Sequence, residues 1–331
     1  MQQNGKSAWR NLRVRSDTVT SAQDMPRLLA VVYLLLLLPV GLRAAGPSDF
    51  QIIPEPYDQL SLQISGKEFT RYHFGKNLRR PFLYPVNGYS GVSLTRMGHP
   101  HDPESHSHHN SIWIAHNDVN GTSFWDDRSK GKIVHGKIEL LEDGPSQNSV
   151  LISNKWLEEA NGKLLLHEKR RIQTRHAQNK MGRWIIIDLE LTPADAEVTF
   201  GKTPFGLIGV RMAKSIGVRD GGGRILNSEG GVNEKEIFWK RARWVDYSGQ
   251  ITSRKAEGIT LMDHPSNPNY PNAFHVRNDG WMGLSLTLDK PMTISKAKPL
   301  RLRYGLFIHR GLGNSAQFNR AAEEFSELRL P

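Results

Sequence analysis

From residue 50 onward, apolar and polar side chains alternate along the chain with a period of two. This alternation puts successive side chains on opposite faces of a β-strand. Turn-forming sequences such as EDGPSQN, EANG, RDGGG and DHPSNPNYPN separate the runs. We therefore predict an all-β chain, built as a large antiparallel sandwich of two sheets that each bury one face. The runs include SLQISG, KIVHGKIELLE, SVLISNKWLE, KLLLHEKRRIQT, RWIIIDLELTP, FGLIGVRMA, ITLMD, WMGLSLTLD and LRLRYGLFIHR.

One helix is predicted, near the C-terminal end. In GNSAQFNRAAEEFSELRL, apolar residues recur every three to four positions, at Phe318, Ala322, Phe325 and Leu328. This spacing places them on one face of a helix, and Asn314 or Ser315 is positioned to cap its first turn. We expect the helix to cover an end or an edge of the sandwich.

The N-terminal residues follow a different pattern. An apolar run from Leu28 to Val40 follows a short basic start and precedes the small residues Ala44 and Ala45, which is the layout of a secretory signal peptide. The run is shorter than the roughly 20 residues of a membrane-spanning helix. We predict an N-terminal extension plus signal peptide over residues 1–45, with translation starting at Met25, and a single β-sandwich domain over residues 46–331. The expected location is periplasmic or extracellular.

Charge and cysteine content narrow the choice of partners. Removal of residues 1–45 takes away six basic and two acidic residues, so the net charge of +11 becomes +7. The basic residues are scattered over predicted strands, which favours a solvated strand face first and an anionic glycan or cell surface second. No nucleic-acid recognition motif accompanies them, so nucleic acid is not an expected partner. The chain has no cysteine, so its stability in an oxidising compartment must come from core burial.

Histidines concentrate in GHPHDPESHSHHNSIWIAH. His99 and His101 lie in a proline-containing loop, whereas His106, His108 and His109 approach a predicted strand. If that strand starts early, His106 and His108 share one face and His109 lies on the other. Neutral imidazole is a common ligand of zinc, copper and iron, so His106 and His108 are the predicted metal ligands and such an ion is the predicted cofactor. A solvated loop and a metal-free catalytic or sugar-binding site are the alternatives.

Other polar residues in predicted loops extend the candidate site. Amides and carboxylates beside aromatic rings suit the hydroxyls and apolar faces of sugars, so a carbohydrate is the expected partner. Imidazoles and a carboxylate can divide acid and base roles, and the predicted catalytic residues are His109, His116, Glu229 and His275. The predicted substrate-binding residues are Asp118, Asn120, Trp125, Lys240, Arg243, Asp246, Tyr247, His264, Asn267 and Arg277. Trp113 is expected in the core.

Several motifs of the chain resemble a known family. They are RPFLYPVNGYSGVSLTR, HSHHNSIWIAHNDVNGTSFW, GRILNSEG, KRARWVDYSG and DHPSNPNYPNAFHVRNDGW. Over roughly residues 55 to 312 the chain resembles the secreted bacterial family catalogued as methane oxygenase PmoA-like. The resemblance implies a sandwich similar to the galactose mutarotase type and a role in sugar processing. The matching polar positions are His106, His108, His109, His116, Asp118, Asn120, Glu229, Arg243, Asp246, His264, Asn267, His275 and Arg277.

Three functions follow from these observations. The preferred one is an exported carbohydrate-active enzyme that acts on a glycan or sugar derivative by hydrolysis, elimination or epimerisation. The second is a carbohydrate-binding module without chemistry, which would present a shallow aromatic platform. The third is a His-ligated metalloprotein with the oxygenase-like redox chemistry that the family name implies. After the signal peptide no apolar run is long enough to span a bilayer, which argues against a subunit of a membrane methane monooxygenase.

Overall fold

Residues 49–98 and 106–328 are described by the structure, a computed structural model. They belong to one unit, Ala45–Pro331. The predicted signal peptide and the loop with His99 and His101 lie outside the described residues, and so do the three C-terminal residues.

Nineteen strands make up about half of the described chain. They are β1 Phe50–Glu55, β2 Gln59–Ile64, β3 Lys67–His73, β4 Phe82–Val86, β5 Ile112–His116, β6 Gly131–Glu142, β7 Gln147–Glu158, β8 Lys163–His176, β9 Arg183–Pro193, β10 Val198–Phe200, β11 Gly206–Arg211, β12 Arg224–Asn227, β13 Lys240–Arg241, β14 Trp244–Thr252, β15 Lys255–Asp263, β16 Ala273–Arg277, β17 Trp281–Ser285, β18 Met292–Ile294 and β19 Leu300–Arg310.

Two large sheets are formed by these strands. One has nine strands in the order β1-β2-β3-β4-β5-β11-β17-β16-β13, and the other has eight in the order β12-β14-β15-β19-β9-β8-β7-β6. A small third sheet pairs β10 with β18. Every paired strand of the described residues runs antiparallel to its neighbour. The predicted all-β antiparallel architecture with two large sheets is confirmed.

Burial on both faces explains the longest apolar run. On β9, Ile185 and Ile187 join the main hydrophobic core, to which both sheets contribute. The alternate residues Trp184 and Ile186 face the opposite way and join a second apolar cluster. Because successive side chains of a strand point to opposite faces, a strand covered on both sides reads as a continuous apolar stretch.

The second cluster is where the C-terminal helix packs. Helix α3, Ser315–Glu327, stacks Phe325 on Trp184 with ring centroids 5.6 Å apart. Its cap is Asn314, whose side chain accepts a hydrogen bond from the backbone N–H of Gln317 at 3.0 Å. The predicted C-terminal helix and one of its two candidate caps are thus confirmed.

Two short helical segments were not predicted, α1 Val218–Gly221 and α2 Asn233–Ile237. They are too short to show a helical period in the sequence. None of the helices in residues 49–98 and 106–328 is long and apolar enough to cross a bilayer.

Asp246 was predicted to bind substrate, and the structure corrects this. It lies on β14, fully buried, where its carboxylate is within 2.7 Å of His309 Nε2 on β19. It also accepts hydrogen bonds from Thr260 on β15 at 3.0 Å and from Ser248 at 2.8 Å. The carboxylate therefore ties three neighbouring strands together inside the protein, away from solvent.

We expect Asp246→Ala to lower the free energy of unfolding by about 3–5 kcal/mol, because it leaves the buried His309 and two hydroxyls without their acceptor. Urea denaturation monitored by circular dichroism measures the change. The matched control is Asp195→Ala on an exposed turn, expected to stay within about 0.5 kcal/mol of the parent. A loss below about 1 kcal/mol for Asp246→Ala would contradict the structural role.

Candidate functional site

The candidate site begins with one row of residues across four strands of the nine-stranded sheet. Trp113 on β5 pairs with Gly209 on β11, Gly209 pairs with Gly283 on β17, and Gly283 pairs with His275 on β16. Directly paired residues lie on the same face of a sheet. Trp281, two residues before Gly283, shares that face as well.

Glycine at two of these positions makes room for indole rings. A Cβ atom on Gly209 would lie 2.7 Å from ring atoms of both Trp113 and Trp281, and one on Gly283 would lie 2.8 Å from Trp281. Such distances are far shorter than van der Waals contact. The two indoles therefore lie across the sheet over the glycines, with their ring centroids 5.2 Å apart.

Trp125 completes this layer, and we call Trp113, Trp125 and Trp281 the indole floor. The ring centroid of Trp125 is 5.6 Å from those of both other indoles. Phe205 lies 5.4 Å from Trp125 and 5.4 Å from His275, and so joins the indole floor to the histidine. Trp125 was predicted to bind substrate, and only 5% of its surface is accessible. Trp113 is buried, as expected.

Above the floor lies a four-residue turn, His106–His109, which we call the histidine turn. The backbone N–H of His109 donates to the carbonyl of His106 at 3.0 Å and closes it. Strand β5 starts only at Ile112, so the predicted alternation of these histidines over two strand faces is wrong. Instead, His106, His108 and His109 each offer a ring nitrogen, and these atoms lie within 4.8 Å of one another.

Aromatic stacking fixes the position of the histidine turn on the floor. The ring of His109 stacks on Trp281 at 4.9 Å and on Trp113 at 5.2 Å. The His106 ring stacks in turn on His109 at 4.6 Å, with the two planes only 1° apart. The His108 ring meets His109 edge-on at 4.4 Å. The three imidazoles thus form one packed group.

A buried arginine connects the histidine turn to the segment that carries Trp125. Arg80 is 1% exposed and donates to the carbonyl of His108 at 3.2 Å and to the side chain of Asn110 at 2.8 Å. It also donates to the carbonyls of Trp125, at 2.7 Å, and Phe124, at 3.2 Å. Burial lowers the pKa of Arg80 to about 10, which leaves it charged at neutral pH.

The opposite wall follows β16 and carries His275, Arg277 and Asp279. Tyr247, predicted to bind substrate, instead supports this wall from below: its hydroxyl contacts the carbonyl oxygens of Arg277 and Asn278 at 3.2 and 3.1 Å. Glu234 of α2 pairs with the guanidinium of Arg277 at 3.1 Å and accepts from the backbone N–H of Asn278 at 2.8 Å. Strand β14, through Tyr247, and helix α2, through Glu234, therefore both hold this wall in place.

Asp279 connects this wall to the histidine turn. Its carboxylate accepts a hydrogen bond from the buried Arg211 at 2.9 Å. The other oxygen lies 3.7 Å from Nε2 of His106. A carboxylate at this place can orient the His106 ring.

The histidine turn, the floor and the wall enclose a cavity of about 580 Å³. This volume is within the usual range of about 300–1,000 Å³ for small-molecule sites. Six of the predicted site residues line it: His106, His108, His109, Trp125, His275 and Arg277. The other lining residues are Asn117, Asp126, Phe205, Arg219, Asp279 and Trp281.

Three imidazoles of the cavity, those of His108, His109 and His275, have lowered pKa values and are uncharged at neutral pH. Burial, assisted by the charge of Arg80, lowers the pKa of His108 to about 4. Burial takes the pKa of His109 well below its usual range, and burial together with Arg277 lowers the pKa of His275 to about 4. Nδ1 of His109 and Nδ1 of His275 have no hydrogen-bond partner among the described residues. The cavity thus presents neutral nitrogen donors.

Three predicted residues at the end of β5 and in the loop that follows it contribute to the fold and do not line the cavity. His116, predicted to be catalytic, is fully buried; its Nε2 lies 2.9 Å from the Thr287 hydroxyl, and its Nδ1 accepts from the backbone N–H of Asp118. Asp118 accepts from the backbone N–H of Gly121 at 2.8 Å. Asn120 accepts from the backbone N–H of Thr199 at 2.8 Å. None of the three is among the residues that line the cavity.

Glu229, Lys240 and Arg243 are also placed elsewhere. Glu229 is exposed in the turn after β12, and its carboxylate accepts from the hydroxyl of Ser228. Lys240 is exposed on the edge strand β13. Arg243 donates to Asn319 of α3 at 3.1 Å. The predicted convergence of NSEGG with the histidines is therefore corrected: these groups lie at a strand edge, in a turn and against the helix.

The DHPSNP loop likewise serves the fold. Nδ1 of His264 lies 2.7 Å from the Ser266 hydroxyl, and its ring packs edge-on against Phe325 of α3. The side chain of Asn267 donates to the carbonyl of Arg303 at 2.8 Å and accepts from its backbone N–H at 2.7 Å. The side-chain amide thus makes with Arg303 the two hydrogen bonds that a residue of a neighbouring strand would make. Both residues were predicted to bind substrate, and the structure places them at the helix and the strand edge instead.

Several residues of the site were not predicted from the sequence, although two of them belong to a motif that supplied predicted site residues. Asp279 and Trp281 belong to FHVRNDGW, the motif that also supplied His275 and Arg277. Arg80, which holds the histidine turn without lining the cavity, follows Arg79 and opens the motif RPFLYP, where nothing in the sequence indicates that its side chain is buried. Phe205 and Arg219 come from regions without any distinctive motif, and only the register of the strands brings them to the cavity.

We expect Gly209→Ala to lower the free energy of unfolding by about 1–3 kcal/mol and to change the near-ultraviolet circular dichroism of the tryptophans, because the new methyl group displaces two indoles. Urea denaturation and near-ultraviolet spectra measure both effects. The control is Gly75→Ala, where the nearest atom to the new methyl group is 3.9 Å away, so both readouts should match the parent. Identical spectra for the two variants would contradict the proposed packing of the floor.

Comparison with known proteins gives a family. No curated protein matches the chain. Among solved structures, the crystal structure of a "putative mutarotase (YeaD)" from Salmonella typhimurium matches with 9% identity, covering 79% of this chain and 94% of that one. The TM-score of the match is 0.35. The model of a family described as "Family of unknown function (DUF6807)" matches residues 59–323, which is most of the chain, and the protein belongs to this family.

Proposed function

We propose that the protein is an exported carbohydrate-active enzyme that moves a proton on a sugar derivative, by epimerisation or elimination, with His275 as the base. One observation carries the proposal: a single cavity combines an aromatic floor, uncharged imidazoles, carboxylates and guanidinium groups. The resemblance to the PmoA-like family and the signal peptide predicted within residues 1–45 add support from the sequence.

The floor and the polar rim suit a sugar ring. Trp125 and Trp281 contribute apolar atoms to the cavity wall, against which the C–H groups of a sugar can pack. Asn117 and Asp126 offer an amide and a carboxylate for hydroxyl groups. Arg219 and Arg277 add positive charge, which favours a sugar that carries an anionic group or develops one during reaction.

His275 has the properties of a base for an activated C–H bond. Its pKa of about 4 keeps the ring unprotonated at neutral pH, and Arg277 lies two residues away on the same face of β16. A pKa of about 4 makes the ring a weaker base than ordinary imidazole, so the proton that it removes must already be acidified, as it is on a carbon next to a carbonyl group. Arg277 is placed to stabilise the negative charge that forms when the proton leaves.

The shape of the site favours an enzyme over a binding module. A module that holds polysaccharide chains would present exposed rings on a shallow platform. Here Trp125 is 5% exposed and Trp281 is 4% exposed, and both lie within the wall of a cavity. A concave site lined by several titratable groups is typical of an enzyme.

We expect His275→Gln to reduce turnover about 10²–10⁴-fold, because the amide cannot accept and release a proton. The assay is loss of C–H signals by proton NMR in D₂O across a panel of ketosugars, uronic acids and aldoses, followed by product analysis. His167→Gln, on an exposed position of β8, is the control and should retain full turnover. Unchanged exchange in His275→Gln, or no exchange with any sugar of the panel in the parent protein, would refute the proposal.

The pH profile gives a second test. The folded-state pKa of His275 lies below its usual value of 6.5, so the ring stays unprotonated until the pH falls to about 4. We therefore expect kcat/KM to stay flat as the pH falls through 6.5 and to drop about tenfold per pH unit only below about 4.

Replacing Arg277 distinguishes His275 from the carboxylates as the titrating group. Its positive charge lowers the pKa of His275, while Asp279 raises it. We expect Arg277→Gln to move the acid limb of the profile to higher pH. Loss of the same positive charge would also raise the pKa of a nearby carboxylate and move its acid limb to higher pH. The residual activity of His275→Gln separates the two cases: if His275 is the titrating group, its pH profile has no acid limb. Persistence of the limb in that variant would assign it to another group.

A further inference from the structure

We propose that the histidine turn binds one divalent transition-metal ion of the zinc class through His106, His108 and His109. This assignment adds His109 to the two ligands that the sequence predicts. It goes beyond the proposed function, because the site follows from the arrangement of the three imidazoles and holds whether or not a sugar is turned over.

The three ring nitrogens can reach a single ion once the side chains of His106 and His108 rotate. One ring nitrogen from each histidine lies within 4.8 Å of the others. Three nitrogen ligands of one tetrahedral zinc ion, with bonds of about 2.0–2.1 Å, lie about 3.3 Å from each other. Binding requires the His106 ring to rotate out of its parallel stack on His109, because the in-plane lone pairs of two parallel rings cannot meet at one ion; His106 and His108 are both only partly buried and have room to rotate.

An unpartnered nitrogen points to a missing ligand. His109 is 6% exposed, and its Nδ1 has no hydrogen-bond partner in the described part of the chain. Buried polar atoms are nearly always paired, because an unpaired one costs about 1–3 kcal/mol. Two indoles stack on the His109 ring and hold this nitrogen in place, and the imidazoles of His106 and His108 pack against the same ring.

The surroundings hold the turn in the way that ligating histidines are usually held. Arg80 binds the carbonyl of His108 and the side chain of Asn110, which fixes the backbone of the turn. Asp279 places a carboxylate oxygen 3.7 Å from Nε2 of His106 and is itself anchored by Arg211. Carboxylates behind metal-bound histidines orient the ring and increase its affinity for the ion.

The cavity leaves an open position beside the turn. Three protein ligands and one place for water or substrate are typical of catalytic zinc sites, whereas structural sites are closed by four protein ligands. The three histidines line the cavity of about 580 Å³ on one side. Bound there, an ion of this class would supply Lewis acidity to an oxygen of a ligand in the cavity.

The test uses the full chain purified without a histidine tag and stripped with a chelator. Zinc and cobalt are added back in turn, unbound ion is removed on a desalting column, and the bound metal is measured by elemental analysis. We expect about one equivalent of ion, and visible absorption bands from tetrahedral cobalt. Less than about a tenth of an equivalent of either ion in the parent protein would overturn the site.

Three variants locate the ion. His106→Ala and His108→Ala should each lose most of the bound metal, and the exposed His167→Ala should retain all of it. Asp279→Asn should weaken zinc affinity about 10–100-fold by calorimetry while leaving the stoichiometry unchanged. Equal metal content in His106→Ala, His108→Ala and the parent would overturn the assignment, because the ion would then lie elsewhere.

Two controls keep the result interpretable. Circular dichroism and thermal denaturation without metal show whether each variant folds, and His108→Gln replaces any alanine variant that does not. Added zinc should raise the melting temperature of the parent and of His167→Ala but not of His106→Ala. These measurements need no sugar, so the two proposals can fail separately. Metal binding without proton exchange would refute the proposed function alone. Proton exchange in a protein that binds no metal would refute only the metal site.

Discussion

Burial of the Arg80 guanidinium is the constraint on which the candidate site depends. A charged group almost without solvent exposure must be surrounded by acceptors, and Arg80 finds them in the backbone before β5 and in the backbone after it. It therefore holds two loops, one carrying His108 and the other carrying Trp125, at a fixed distance from the start of β4. With this group in place, histidines and indoles from separate loops share one cavity.

The floor shows how a sheet can carry large rings without exposing them. Gly209 and Gly283 leave a shallow space on one face of the nine-stranded sheet, and the indoles of Trp113 and Trp281 fill it. Because these rings are apolar and buried, the histidines that stack on them are desolvated. Desolvation is the largest cause of the lowered pKa of His109 and His275. The same packing thus gives the cavity both its shape and its uncharged nitrogen donors.

Local patterns predicted the elements of the fold well. Alternating stretches became strands such as β7, β8 and β19, since alternation reflects burial of one face. The apolar spacing at Phe318 and Phe325, with Asn314 as a cap, marked α3 correctly, because capping and helical period act over only a few residues. The histidine turn was misread as an early strand: the three imidazoles close together carried no periodic signal.

Local patterns could not predict which polar residues line the cavity. His275, Arg277 and the histidine turn lie in the cavity, whereas Asp246, His264 and Asn267 form the hydrogen bonds that support strands and α3. In the sequence both groups look alike, as polar residues in loops or at strand ends. A polar side chain serves the fold or the ligand according to which groups surround it, and those groups come from distant parts of the chain.

The sequence by itself determined the β class, the C-terminal helix, the absence of disulfides and the location of a histidine cluster, because each follows from neighbouring residues or from composition. Only the tertiary structure decided that β5, β11, β17 and β16 lie side by side, and with them Trp113, Trp281 and His275. Strand order and register depend on pairing between segments far apart in the chain, and no local pattern encodes that pairing. The cavity is a product of that pairing.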